Sequence, residues 1–178
     1  LGLALGFLSL ASVLAVQVTP WWVWLAVGLH GFVWPHLAWQ LARRAPDPAA
    51  AERRNMLIDH AAGGFWIAAI AFNTLPAVLM LSMMGLNSCV GGGWRQLYRG
   101  LGVHAAGTLA GMLVLGLQWR PESSMPQVLA SLPLLLLHPI CMGGLTWRAL
   151  DKLRKQREKL SYLSQHDGLS GLYNRVSW

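Results

Sequence analysis

Ionisable side chains sit in largely apolar stretches: Asp59 and His60 opening the segment 57–72, His36 within 20–42, His104 within 100–118 and His138 within 128–147. Groups of this kind are costly in hydrocarbon and imply either a partner or a water-filled cavity. Imidazoles beside a carboxylate can exchange protons, hold a polar ligand or bind metal, and a bis-histidine haem is the sharpest version. Counting about 1.5 Å per residue from the nearest basic boundary gives depths of about 9 Å for His36, about 5 Å for His60, about 6 Å for His104 and about 14 Å for His138. All four fall in the same half of a helical bundle. The plainer reading is structural, with Asp59 neutralising Arg43, Arg44, Arg53 or Arg54. The functional reading is a polar sensing cluster of Asp59, His60, His36, His104 and His138, with no resident metal or cofactor.

Other chemistries find no support. No Ser-His-Asp or Cys-His arrangement is specified. Asp47 and Glu52 fall in an expected loop and Glu122 on the opposite side, so no carboxylate pair is available to hold two Mg²⁺ ions or a triphosphate. Cys89 and Cys141 lie in apolar runs with no second ligand at metal spacing. The glycines of "NSCVGGGWRQ" (87–96) lack the Gly-Lys-Ser/Thr ending of a phosphate loop, and the stretch reads as a loop at a membrane surface. Taken alone, these residues are not a catalyst.

The elements that must carry these groups are membrane helices. Hydrophobic residues make up 54% of the 178 and charged ones 12%, which lies outside the soluble range. The expected fold is an all-α membrane protein with six transmembrane segments, 1–18, 20–42, 57–72, 74–90, 100–118 and 128–147, several near the ~20 residues a crossing needs. Segments three and four join at Asn73 and Thr74 with Pro76 just beyond, a tight helical hairpin. Gly107 and Gly111 of "GTLAG" share one helical face, a close-packing signal. The first residue is Leu and lies inside an apolar run, so the chain reads as cut at its N-terminus. No basic region precedes that run, which argues against a signal peptide.

Charge sets the orientation. Of the 14 basic residues, 13 fall on one side of the expected membrane and only Arg120 on the other, so both termini are expected to be cytoplasmic. The same distribution argues against a nucleic-acid partner, despite a net charge of +7. Trp21, Trp22, Trp24 and Trp119 mark the outer ends of segments, and Trp39, Trp94 and Trp147 the inner ends, as interfacial belts do.

After residue 147 the composition changes to "RALDKLRKQREKLSYLSQ" (148–165), rich in helix formers and free of Gly and Pro. Ala149, Leu153, Gln156, Leu160 and Leu163 follow a heptad spacing, so a cytoplasmic helix pairing with a second copy is expected, with Leu153, Leu160 and Leu163 in its seam. A solvated linker is the alternative.

The next residues, "DGLSGLYNR" (167–175), resemble the opening motif of GGDEF diguanylate cyclase domains, written D-x-L-T-G-L-x-N-R. Asp167, Leu169, Gly171, Leu172, Asn174 and Arg175 match, and Ser170 stands for threonine. The resemblance assigns this turn a structural role; the Gly-Gly-Asp/Glu-Glu-Phe signature does not occur in the chain. The membrane part resembles the second type of MASE region, a sensor found before GGDEF domains and some adenylate cyclases. "WPHLAWQLARR" (34–44), "AERRNMLIDHAAGGFW" (51–66), "FNTLPAVL" (72–79), "GGGWRQLYRG" (91–100) and "QWRPESS" (118–124) carry that likeness.

The domains implied are a sensor or anchor (1–147), a coupling helix (148–165) and the truncated start of a GGDEF domain (166–178). The resemblance implies a dimeric bacterial inner-membrane protein whose parent makes cyclic di-GMP from two GTP with Mg²⁺. The alternatives are the membrane region of an adenylate cyclase and a small six-span transporter.

Overall fold

The computed structural model describes residues 2–166 and Tyr173. Six α-helices and one π-helical turn account for nearly all of them: α1 (Gly2–Leu14), α2 (Trp21–Gly28), the π turn (Leu29–Val33), α3 (Trp34–Arg44), α4 (Pro48–Ala69), α5 (Thr74–Leu115) and α6 (Met125–Gln165). The chain divides into two compact units, Leu1–Pro139 and Ile140–Trp178. No strand occurs among the described residues; His166 and Tyr173 form a single antiparallel bridge.

The π turn has a local cause. Pro35 lacks the N–H that would bond to the Gly31 carbonyl, and the Trp34 N–H reaches back five residues to the Leu29 carbonyl instead. Helix α4 begins nine residues before its apolar stretch. The Asp47 side chain caps it, accepting from the Ala50 N–H at 2.9 Å, and Pro48 occupies the first turn. Asp47 and Glu52 are therefore a helix cap and a helical residue, not parts of a loop.

The α4–α5 hairpin turns on Ala71 and Phe72, both left-handed at φ 53° and 60°. Two left-handed non-glycine residues in succession need outside support. The 116–124 connection supplies it. The Arg120 N–H donates to the Ala71 carbonyl at 2.8 Å, the Thr74 N–H to that of Pro121 at 2.9 Å, and the Trp119 ring packs on Phe72. Asn73 ties the joint together: its amide donates to the Glu122 carbonyl at 2.7 Å and to Gln127 at 3.1 Å, and its oxygen accepts from Ser123 at 2.6 Å.

The expected surface loop at 87–96 is helix. Only Gly93 leaves helical geometry, at φ 66° and ψ −165°, so α5 is two helical arms joined at one residue. One glycine suffices because that backbone region is open to glycine almost alone. The arms pack along α4 through glycines. A Cβ on Gly64 would strike the His104 carbonyl, one on Gly107 the Ala61 carbonyl, and one on Gly111 would lie 2.8 Å from the Ala68 Cβ. Backbones approach this closely only where side chains are missing.

The core of the first unit gathers Leu10, Val13, Leu14, Val27, Ile70 and Met80, among others. Large apolar side chains also cover the outside: Leu109, Leu113, Val114, Leu136 and Leu137 are all exposed. Soluble monomers do not present apolar surface on this scale. Among the described residues two helices, α5 and α6, are long and apolar enough to cross a membrane, and α1 is a shorter apolar helix.

Candidate functional site

The five side chains singled out in the sequence do not meet at one point. Asp59 and His60 are consecutive on α4, so they leave the helix about 100° apart and serve different neighbours.

Asp59 faces the π turn. Trp34 Nε1 donates to its Oδ1 at 2.6 Å, and His30 Nε2 lies 3.6 Å from the same oxygen. Trp66 Nε1 donates to His30 Nδ1 at 3.1 Å. With Nδ1 accepting, neutral His30 carries its hydrogen on Nε2, the nitrogen that faces the carboxylate. Trp66, His30, Asp59 and Trp34 thus form a chain across α4, the π turn and the start of α3. The arginines expected to neutralise Asp59 make no ion pair with it among the described residues. Sequence reasoning missed His30, Trp34 and Trp66. The signal that could have found them is Pro35, which displaces the preceding turn and turns His30 inward.

His60 faces α5. Its Nε2 lies 2.8 Å from Ser88 Oγ, and its ring stands edge-on to that of His104 with centroids 5.8 Å apart. His60 and His104 are 1% and 5% exposed. His60 Nδ1 and both His104 nitrogens lack a hydrogen-bond partner among the described residues. The Met84 and His60 carbonyls lie beside the two rings, outside hydrogen-bond geometry. Leaving such atoms unmade in a core is costly.

The remaining two histidines stand apart. His138 Nε2 lies 3.2 Å from Asn87 Oδ1, and His36 is exposed on α3 with no hydrogen bond among the described residues. Among the described residues no three His, Cys, Asp or Glu side chains stand together as a metal site. A cavity of about 10 Å³, room for one water, lies between α1, the π turn, α4 and α5 beside His30 and Trp66.

In the second unit the positions of the expected seam are helical, and Leu153, Leu160 and Leu163 are all exposed. Asp151 and Lys155 pair across one turn at 2.8 Å. The opening-turn residues Asp167, Leu169, Gly171, Asn174 and Arg175 lie outside the described residues.

Comparison with known proteins bears on both parts of the chain. The MASE2 domain family matches residues 1–82. The chain is similar to the Probable diguanylate cyclase DgcC of Escherichia coli strain K12, with 35% identity over 99% of this chain and 48% of the relative. The protein of the same name from Escherichia coli O6:H1 strain CFT073 matches to the same extent. The chain spans about half the length of the curated relatives it matches. No solved structure matches. The MASE2 family, a family of membrane-associated domains, thus matches residues 1–82 of a chain that is helical through its described residues, with α5 and α6 of the length and apolarity to cross a bilayer.

Proposed function

We propose that this chain is the membrane sensor or anchor module of a bacterial diguanylate cyclase, whose parent condenses two GTP into cyclic di-GMP. The observation that carries the reading is likeness along 99% of the chain to proteins named probable diguanylate cyclase. "DGLSGLYNR" directly after α6 supports it and speaks against an adenylate cyclase output.

In this reading six segments cross the inner membrane: α1, the α2–α3 rod, α4, the two arms of α5, and the first part of α6. Both ends of the chain are cytoplasmic, on the side of 13 of the 14 basic residues. The helix from Arg148 to Gln165 pairs with its copy through Leu153, Leu160 and Leu163, and a change in the bundle passes along it as a rigid-body movement. GTP and Mg²⁺ belong to the parent's catalytic domain, and no residue of this chain is assigned to hold them.

The experiment extends the chain to its natural C-terminus and follows conversion of GTP to cyclic di-GMP with and without residues 1–147. The long form is expected to make product, and removal of the membrane part is expected to lower or deregulate it. Absence of product from both forms would sink the proposal.

A further inference from the structure

The contact between α4 and α5 brings two buried imidazoles and a buried thioether together. His60 and His104 are both more than nine-tenths buried, and three of their four ring nitrogens have no partner among the described residues. Glycines open the space around them. A Cβ on Gly63 would fall within 3.3 Å of both Met84 Sδ and His104 Cε1, and one on Gly100 would run into the His60 ring. At Gly63 the missing side chain leaves room for a sulfur and an imidazole edge.

We propose that His60, His104 and Met84 bind one soft monovalent metal ion, of the Cu(I) or Ag(I) class. Three arguments converge on it. The first is reach: with metal–nitrogen bonds of about 2.0–2.1 Å, two imidazoles on one ion have centroids no more than about 6.4 Å apart, and these stand at 5.8 Å. No existing hydrogen bond must break for the His104 ring to turn toward the ion.

The second is second-sphere order. His60 Nε2 contacts Ser88 Oγ at 2.8 Å. With the hydrogen on Nε2, Nδ1 presents a lone pair, and a hydrogen bond from the far nitrogen is how ligating histidines are usually held.

The third is charge and softness. Asp59, the nearest carboxylate in sequence, turns to Trp34 and His30, and no ion pair reaches either ring among the described residues. All three ligands are neutral and one carboxylate, Asp59, acts on His60 through space, so a second positive charge on the ion would be uncompensated, and the cost of burying a charge rises with its square. A monovalent ion is favoured over Zn²⁺ on that ground, and a thioether selects soft ions. Bound metal would pin the first arm of α5, through Met84, to the second arm, through His104, on either side of the Gly93 break.

The test uses the full chain in detergent with Cys89→Ser and Cys141→Ser, because thiols compete for the same ions. Cu(I) is supplied as its bicinchoninate complex and transfer is followed by loss of colour. One equivalent per chain is expected to transfer, with loss of binding in His104→Gln. Met84→Leu, which keeps the packing volume, is expected to weaken it, and Ser88→Ala to weaken it about 10- to 100-fold. His138→Gln is the control expected to bind normally. Helix content by circular dichroism verifies folding of each variant, and X-ray absorption should show nitrogen and sulfur neighbours. No transfer from the competitor, or equal transfer to a folded Met84→Leu and His104→Gln pair, overturns the proposal. The outcome does not depend on whether the parent makes cyclic di-GMP.

Discussion

At Gly64 the backbone is ordinary helix, but a Cβ there would meet the His104 carbonyl and come within 2.8 Å of the Thr108 amide nitrogen. At Gly93 the situation is reversed: nothing lies within 4 Å of a built Cβ, but φ is +66°. The first glycine is required by space and the second by conformation. Gly64→Val should cost about 1–3 kcal/mol through overpacking, and Gly93→Ala about 1–3 kcal/mol through backbone strain. Gly102, helical and open around its Cβ, is the control: Gly102→Ala should leave stability unchanged or raise it. Thermal unfolding of the three variants in detergent, followed by tryptophan fluorescence, checks this. Equal behaviour of all three would show that neither packing nor backbone geometry governs these sites. "GTLAG" announced the role of Gly107 and Gly111 because both lie one turn apart on one face. Gly63, Gly64 and Gly100 carry no such spacing signal, and their importance depends on what α5 and α4 place opposite them.

Among the elements, the hairpin at Asn73 was legible because two apolar runs met at a polar pair followed by proline. The break at Gly93 was misread as a loop, since three glycines and a following Trp-Arg pair look like a surface turn. Gly91 and Gly92 stay helical and pack on α4, where a Cβ on Gly91 would hit Met56 and one on Gly92 would lie 3.3 Å from Arg53 Cδ. The Gln96 amide then donates to the Arg53 carbonyl at 2.8 Å. The other element-scale question is the end of α6. Its exposed Leu153, Leu160 and Leu163 define a stripe whose register matters only if a second copy reads it. One residue inserted after Gln156 rotates everything beyond it by about 100°, whereas seven preserve the heptad. In the extended parent, the one-residue insertion should change cyclic di-GMP output and the seven-residue insertion should restore it. Equal output from both would remove register from the mechanism.

At the scale of the whole molecule, an exposed apolar surface surrounds an interior that is partly polar: Ser9, His60, Asn73, Ser88, Gln127 and Ser131 are buried. Ser131 Oγ donates to the Gln127 carbonyl at 2.8 Å, so in the 2.6 Å contact between Ser9 and Ser131 the proton comes from Ser9. Interhelical bonds of this kind supply cohesion where lipid offers no hydrophobic contrast. The charge distribution makes the topology testable. In a Cys89→Ser, Cys141→Ser background, Glu122→Cys should react with an impermeant maleimide on intact spheroplasts, and Pro46→Cys only after lysis. The opposite pattern would invert the proposed orientation.

Sequence by itself determined the class of the molecule, the positions of its apolar segments, the asymmetry of its basic residues and the likeness to MASE and GGDEF regions. These are properties of composition and local order, readable because each run carries its own hydropathy and each motif its own residues. Tertiary structure decided the partners. It gave Asp59 to Trp34 and His30, gave His60 to Ser88 and His104, and left His36 at the surface. The physical reason is angular. Neighbouring residues on a helix point about 100° apart, so depth along the axis says how far down a side chain lies but not which helix it meets. That was set by glycine-lined backbone approach between α4 and α5, and by a π turn that one proline imposed.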